Sequence, residues 1–362
     1  MRASLALLAV IVFSTSSPAQ QIGSAFGYSA ENPGISAVGE ILARYEAGEW
    51  GGGLGNAELG FQAPIDPFGR ADILLHYASG VLHAHHEHED EEEEAHEHGT
   101  GFAVEEALIT LTSLPGKTQL SAGRMRSRIG LLNVVHLHDF SFIEYPRIIT
   151  DYWGEEGLSV DGLRLSWLAP LPFWTEVVAE GQRTGVEDAT SFGTGGLHLF
   201  FPMGESVGLG LTGFGYMDKP AHEETENNEP QDWGLNGWGT GFRLKWVPPE
   251  RALYTHVLLQ AELMSRAVHE DDLFGFYAMT EYKFTRRWAA GAMFEHNEHL
   301  HQHGEETETE EQSWGSLAVS YQPSEFQRMR AQFDLPVDVE EADSRVTLQW
   351  TFLIGPHKPH SY

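Results

Sequence analysis

Residues 345–354 read Arg-Val-Thr-Leu-Gln-Trp-Thr-Phe-Leu-Ile, and polar and apolar side chains alternate through Phe352. Because successive side chains of a β-strand point to opposite faces, this pattern predicts a strand with one polar and one apolar face. The same alternation recurs at residues 253–263 and 328–333. A soluble sandwich could bury such apolar faces in its core, and a barrel could expose them to lipid.

The spacing of the connections favours the barrel. One set of connections is short and rich in turn residues, such as Asp66-Pro67-Phe68-Gly69, while long polar insertions at 82–100, 129–155, 218–234 and 297–312 fall in the alternate set. Long loops on one rim and short turns on the other are typical of outer-membrane barrels. The sixteen candidate strands lie near residues 35–47, 54–65, 69–81, 101–113, 117–128, 156–168, 173–182, 192–201, 206–217, 235–247, 252–264, 273–284, 287–296, 313–321, 326–335 and 344–355.

We therefore predict an all-β fold, a transmembrane antiparallel up-and-down β-barrel over residues 35–355. It should have about sixteen strands. A count between fourteen and eighteen is compatible with the sequence, because strand boundaries are the least reliable part of such predictions. Tryptophans near both ends of the strands, such as Trp167 at a short turn and Trp314 at the opposite rim, fit the aromatic belts of a bilayer-spanning barrel. A secreted sandwich is the alternative.

The N-terminus predicts export. A basic start at Arg2, an apolar run over Leu5–Phe13 and small residues before Ala19 indicate a signal peptide at 1–19. Residues 20–34 are then a periplasmic segment, and 356–362 form a C-terminal tail. The expected location is the bacterial outer membrane, with short turns in the periplasm and long loops outside.

Composition excludes several classes of function. The chain has 53 acids, 22 bases and a formal net charge of −31, so its field repels nucleic acid and anionic headgroups. It has no cysteine, which rules out disulfides, thiolate metal sites and a thiol nucleophile. No phosphate-binding loop, H-E-x-x-H or G-x-S-x-G motif occurs, and we do not expect an enzyme. The expected partners are divalent metal ions and outer-membrane lipid; the sequence does not decide between a monomer and a trimer.

Histidine and acidic residues concentrate in three of the outer segments, around 83–98, 218–232 and 295–311, which hold 21 acids and the single base Lys219. Imidazole and carboxylate are ligands for Zn²⁺, with Cu²⁺ and Ni²⁺ also compatible. We expect these segments to bind several zinc ions loosely; the alternative is a set of solvated, disordered acidic loops. The candidate metal ligands are His83, His85, His86, His88, His96, His98, His222, His296, His299, His301 and His303.

The insertion 129–155 contains enough apolar residues to pack. The favoured interpretation is an ordinary packed outside loop whose histidines only form hydrogen bonds, and the alternative is a segment that folds into the lumen as a constriction. Its His136-x-His138-Asp139 would then be a second, sharper metal site. Just before it, Arg124, Arg126 and Arg128 could form a basic ladder of the kind found in anion-selective porins. Strand alternation, however, places these arginines on the same face as Leu120 and Ala122, which should face lipid. A bulge at Gly123, or departure of the chain from the barrel wall, would turn the arginines inward.

The polar faces of the strands predict a water-filled lumen of mixed charge. Its predicted charged residues are Glu58, Glu106, Glu176, Glu180, Glu262, Glu281, Arg164, Arg243, Lys245, Lys283, Arg328, Arg330 and Arg345. Because acids and bases nearly balance there, the acidic outer segments should set the selectivity at the mouth.

Two short motifs resemble known outer-membrane families. Ser121-Ala-Gly-Arg-Met-Arg-Ser-Arg-Ile-Gly-Leu-Leu-Asn133 resembles the strand before the constriction loop of phosphate-selective-type porins, and Glu155-Glu-Gly-Leu158 resembles the start of their next strand. Together with the His/acid-rich segments, the terminal Ile354-Gly-Pro-His357-Lys-Pro-His360 is similar to bacterial zinc-regulated porins or receptors. This resemblance implies a link to metal.

The function predicted from these observations is an outer-membrane channel that captures divalent transition metal, foremost zinc, on its outer loops and admits it. Two alternatives stay open: a non-conducting surface metal buffer or sensor anchored by a barrel, and a general or anion-selective porin whose acidic loops are incidental.

Overall fold

The computed structural model describes residues 28–78, 101–154, 157–184, 189–220, 236–252, 254–268, 271–303, 306–339 and 342–355. The predicted signal peptide, His83–His98, His222, and the tail with His357 and His360 lie outside the described residues. No helix in the described ranges is long and apolar enough to cross a membrane.

Sixteen antiparallel strands close into one barrel, each beside its neighbour in sequence and β16 beside β1. This confirms the predicted fold class and strand count. The strands are β1 Gly34–Glu46, β2 Glu49–Asp66, β3 Gly69–Ala78, β4 Gly101–Leu114, β5 Thr118–Arg126, β6 Ser159–Leu168, β7 Trp174–Thr184, β8 Ala189–Met203, β9 Val207–Pro220, β10 Asn236–Trp246, β11 His256–Val268, β12 Asp271–Lys283, β13 Trp288–His303, β14 Glu306–Ser324, β15 Gln327–Pro336 and β16 Arg345–Ile354. A short helix, α1 (Arg147–Trp153), lies between β5 and β6.

The burial pattern is the inverse of that of a water-soluble protein. On β16 the polar Thr347 and Thr351 are each 1% exposed, whereas Leu348 and Trp350 on the opposite face are 43% exposed. An apolar outer surface around a polar-lined interior suits contact with lipid and disfavours the sandwich.

One outer segment differs from its prediction. Residues 297–303 and 306–312 form strand where a loop was predicted: β13 and β14 continue as a pair from Asn297 opposite Gln312 to His303 opposite Glu306. The signal was present in the sequence, because His299, His301 and His303 alternate with Leu300 and Gln302 in the period of a strand. Acid-rich composition had outweighed that periodicity in the prediction of a loop.

Candidate functional site

The described residues between β5 and β6, 127–154 and 157–158 (the inner loop), lie inside the barrel. Its Leu131 amide donates to the Glu262 carboxylate of β11 at 3.1 Å, and seven residues later a His138 ring nitrogen lies 3.0 Å from Glu58 Oε1 of β2. Strands β2 and β11 are on opposite sides of the closed sheet. The chain makes both contacts within seven residues, and it therefore crosses the lumen.

Gly130 allows this close approach to β11. Its φ is +64°, and a Cβ there would lie 1.9 Å from Glu262 Oε1. Any other residue would be strained and would displace the carboxylate that receives the Leu131 amide.

One wall of the lumen is apolar, and the inner loop packs against it. Ile129, Phe142 and Ile148 of the loop are 2%, 0% and 0% exposed. They share a buried cluster with residues of β9 and β11–β13: Phe214, Tyr216, Met264, Leu273, Tyr277, Met279 and Met293. The expectation of a lumen that is polar and water-filled throughout was therefore wrong on this side, because the inner loop fills it with side chains.

The opposite wall holds the inner loop through charged groups. The buried Arg330 guanidinium of β15 donates from Nη1 to the carbonyls of Phe142 at 2.6 Å, Phe140 at 2.8 Å and Leu137 at 3.3 Å. Hydrogen bonds to a charged donor of this kind are among the stronger ones in proteins.

A second anchor lies near α1. Glu144 forms ion pairs with Arg345 of β16 and Arg44 of β1. Burial would raise the pKa of the Glu144 carboxyl, but Arg345, Arg44 and Arg147 outweigh it and hold that pKa below its ordinary value.

Three potential metal ligands meet where the inner loop touches the polar wall: Glu58 of β2, Glu105 of β4 and His136 of the loop (the acid–histidine triad). Each offers one ligand atom, and these atoms lie within 4.8 Å of one another. His136 Nδ1 is 3.2 Å from Glu105 Oε1 and 4.0 Å from Glu58 Oε2. All three side chains are buried, with 9%, 3% and 2% of their surface exposed, respectively.

A β-bulge brings Glu105 to this place. Leu74 of β3 pairs with Glu106 and Leu75 pairs with Val104, which leaves Glu105 as the extra residue of β4. A bulge breaks the alternation of faces, and the buried Glu105 thus joins Glu106 on the lumen side, where Glu106 accepts the Arg126 amide.

One oxygen of each triad carboxylate is held closely by a neighbouring basic group. Arg126 Nη2 lies 2.5 Å from Glu105 Oε1, and His138 Nδ1 lies 3.0 Å from Glu58 Oε1. The second oxygens, Glu105 Oε2 and Glu58 Oε2, are buried and have no hydrogen-bond partner within the described part of the chain. Both carboxylates line a small cavity together with Asn56, His76, Arg126 and Leu137.

The predicted His136-x-His138-Asp139 site is divided in the structure. His136 belongs to the triad, whereas His138 pairs with the other oxygen of Glu58 and lies 3.7 Å from Asp139. Burial would lower the pKa of the His138 imidazole, but the Glu58 carboxylate outweighs it and raises that pKa to about 9. The ligand atoms that lie within 4.8 Å of one another belong to Glu58, Glu105 and His136, so His136 and not His138 is the candidate ligand.

The predicted ladder of Arg124, Arg126 and Arg128 does not form. Arg124 is partly exposed, 3.5 Å from Asp161, Arg126 turns inward to Glu105, and Arg128 lies 2.7 Å from Glu176. The reason is that β5 ends at Arg126, where the chain leaves the wall and the strand period no longer sets direction.

At the rim, the described histidines also separate. His296 Nδ1 lies 3.0 Å from the Ser313 hydroxyl, and its ring contacts Phe276. His299 Nε2 lies 3.7 Å from Glu310 Oε2. The backbone register pairs positions 301 and 303 with positions 308 and 306.

Sequence reasoning missed Glu105 and did not connect Glu58 with metal. Strict alternation assigned Glu58 and Glu106 to the lumen and Glu105 to lipid, and only the improbable burial of a carboxylate in lipid could have signalled the bulge. His76 was missed because a single lumen histidine on β3 has no motif around it.

Comparison with known proteins is consistent with this architecture. No protein-family model matches the chain. An uncharacterized protein of Aquifex aeolicus (strain VF5) is 25% identical over 352 residues, which cover 85% of this chain and 70% of that protein.

Solved outer-membrane proteins are similar in structure. A loop L8 deletion mutant of Vibrio cholerae OmpT is 12% identical with a TM-score of 0.57 and covers 89% of this chain and 99% of its own. Pseudomonas putida OprB is 11% identical with a TM-score of 0.59 and covers 89% and 94%. Salmonella typhi OmpF, solved with daunomycin, is 8% identical with a TM-score of 0.58 and covers 89% and 97%. The chain has the fold of an outer-membrane porin. Identities this low establish the fold alone, and the solute must be argued from the residues.

Proposed function

We propose that this barrel is an outer-membrane channel that captures divalent transition metal ions at its outer rim, zinc foremost, and admits them. The observation that carries the proposal is the β13–β14 hairpin, where His299, His301 and His303 pair in register with Glu310, Glu308 and Glu306. Cross-strand neighbours have Cβ atoms about 5 Å apart, a spacing from which imidazole and carboxylate can bind one ion.

The charge of the outer segments supports the same function. The 21 acids of the three His/acid-rich segments, with Lys219 as their one base, should concentrate cations at the mouth and speed their capture. Zn²⁺ is favoured by the mixed imidazole and carboxylate ligands, and Cu²⁺ and Ni²⁺ remain compatible. Export through the leader 1–19 and the resemblance to zinc-regulated porins belong to this proposal.

The placement of the basic residues argues against an anion-selective porin. Only Arg126 and Arg128 of the three spaced arginines lie inside the barrel, and each is paired with a glutamate. A basic ladder for anions would need unneutralised guanidinium groups along the pore.

One observation favours the alternative of a non-conducting metal buffer. The inner loop crosses the lumen and packs on its apolar wall, which narrows the route to the polar side. Conduction therefore decides between channel and buffer.

The test is planar-bilayer recording of the full mature protein, with reversal potentials in gradients of KCl and of ZnCl₂. A channel should conduct with cation preference at low salt, and the preference should fade toward 1 M, where the Debye length is about 3 Å. Removing residues 83–98 and replacing the hairpin histidines by asparagine should reduce zinc permeation and preserve potassium conductance. Absence of conductance supports the buffer, and anion preference would contradict the proposal.

A further inference from the structure

We propose that Glu58, Glu105 and His136 form a coordination site for a single divalent transition metal ion inside the barrel. The site would hold the ion after its capture at the rim, and its place on the route rests on the proposed function. Binding itself rests only on the geometry of the triad.

The spacing of the ligand atoms fits such an ion. Zinc–nitrogen and zinc–oxygen bonds of about 2.0–2.2 Å in a tetrahedron place neighbouring ligand atoms about 3.4 Å apart. The observed separations from His136 Nδ1, 3.2 Å to Glu105 Oε1 and 4.0 Å to Glu58 Oε2, lie on either side of that value. Small side-chain rotations would close the shell without moving the backbone.

The hydrogen bonding of the triad also leaves two buried acceptor atoms without a donor. Arg126 satisfies Glu105 Oε1 and His138 satisfies Glu58 Oε1, but Glu105 Oε2 and Glu58 Oε2 stay buried without a hydrogen-bond partner in the described ranges. A buried, unsatisfied acceptor costs about 1–3 kcal/mol. If the ion pairs served only to hold the structure together, nothing would offset that cost. A divalent ion bound by Glu58 Oε2 and by both carboxylate oxygens of Glu105 would satisfy both acceptors.

The origin of the ligands suggests what binding would do. Two ligands come from the wall, on β2 and β4, and the third from the inner loop, so that a bound ion would tie the loop to the polar wall. The fourth position is open to water or to His76, which pairs with Glu58 in the β2–β3 register and lines the same cavity. An open fourth position is typical of zinc sites where the ligand exchanges.

The test uses the full mature protein in detergent, with all eleven outer-segment histidines replaced by asparagine so that rim binding is removed. Titration with Co²⁺, followed by its visible absorption, and with Zn²⁺, followed by calorimetry, should show one remaining ion per chain. X-ray absorption of the zinc form should give a first shell of one imidazole nitrogen and carboxylate oxygens.

Substitutions then separate the triad from its neighbours. His136→Gln and Glu105→Gln should each weaken binding by more than about 100-fold, since loss of an outer-shell partner alone costs 10–100-fold. His198→Gln is the matched control: this histidine of β8 bonds the Thr212 hydroxyl and contacts neither the triad nor its partners, so the variant should keep the single ion at unchanged affinity. Heat-modifiable migration on gels checks that each variant is folded.

The outcomes for the site and for the function are distinct. No ion in the parent that lacks the eleven outer-segment histidines, binding that survives His136→Gln, or an absorption spectrum without an imidazole ligand would overturn the site. A single bound ion with no zinc permeation would uphold the site and contradict the channel. Zinc permeation through a protein that binds no internal ion would do the reverse.

Discussion

The inner loop touches two walls of the barrel that differ in chemistry. The wall formed by β9 and β11–β13 carries the buried apolar cluster, in which Phe142 and Ile148 of the loop lie with Tyr277 and its neighbours. The wall formed by β15, β16 and β1–β4 is charged and keeps two buried carboxylate oxygens, on Glu58 and Glu105, without hydrogen-bond partners in the described chain.

The two walls therefore have different roles: the apolar cluster fixes the position of the inner loop, and the charged wall offers a site for a ligand. Apolar packing gives the loop a fixed position, because a packed core has few alternative arrangements. The charged wall contributes anchors through Arg330 and Glu144, but at the triad it leaves acceptors unsatisfied, which is costly unless they serve a ligand. Metal binding should therefore be sensitive to substitutions on the charged wall. The position of the inner loop should be sensitive to substitutions on either wall.

The largest expected effect comes from the apolar wall. Phe142→Ala removes a ring that is 0% exposed, and such truncations cost about 3–5 kcal/mol. The hydrogen bonds between the barrel strands should stay intact while the inner loop detaches from the wall. Residues 129–153 should then lose protection from hydrogen exchange, and the single-channel conductance should increase. Leu163→Ala, on the exposed outer surface, is the control and should change neither quantity. Unchanged protection in Phe142→Ala would show that the apolar wall does not hold the loop.

The next effect comes from the charged wall. Arg330→Met leaves three loop carbonyls without their donor, and removing one partner of a buried charged network costs about 3 kcal/mol. Hydrogen exchange should accelerate mainly around residues 137–142. Arg330→Lys keeps the charge but lacks the planar fork, and it should show a smaller acceleration. Equal behaviour of the two variants would mean that charge alone, without the carbonyl contacts, positions the loop.

A pH dependence should follow from Glu144. Its pKa is lowered in the folded protein from 4.5, because Arg345 and Arg44 outweigh burial. Its contribution to docking is therefore complete above the ordinary pKa and is lost as the pH falls through the lowered value. Conductance should rise on acidification below about pH 4. Glu144→Gln should raise conductance at neutral pH and flatten the acid response; an unchanged acid response in that variant would assign it to another group.

The sequence predicted the wall of this barrel better than its interior. Alternation along residues 345–354 depends only on neighbours in the chain, and it placed Thr347 and Gln349 inside correctly. It failed at Glu105, where a single extra residue in β4 reverses the parity of the side chain. Nothing local in the sequence marks that position.

The inner loop shows a second limit of prediction. Its apolar residues suggested packing, but the partners that fix it are far away along the chain: Glu262 for Leu131, and Arg330 for Phe142. Which wall receives which part of the loop depends on closure of the barrel, and therefore on all sixteen strands together. The acid–histidine triad could not be predicted for both reasons: it requires the bulge that turns Glu105 inward and the long-range packing that brings His136 of the inner loop to the wall.

The smallest expected effects concern the arginines at the end of β5. Substitutions there compare a residue on the exposed surface with a residue inside the lumen. Arg124 is 37% exposed and 3.5 Å from the exposed Asp161, and pairs of this kind are worth about 0–1 kcal/mol. Arg124→Ala should leave stability and reversal potential unchanged. Arg128→Ala removes the partner of Glu176 inside the lumen and should shift the reversal potential modestly toward cations, more at low than at high salt. If Arg124→Ala instead reduced anion permeation, this residue would line the pore, and an anion-selective ladder would have to be reconsidered.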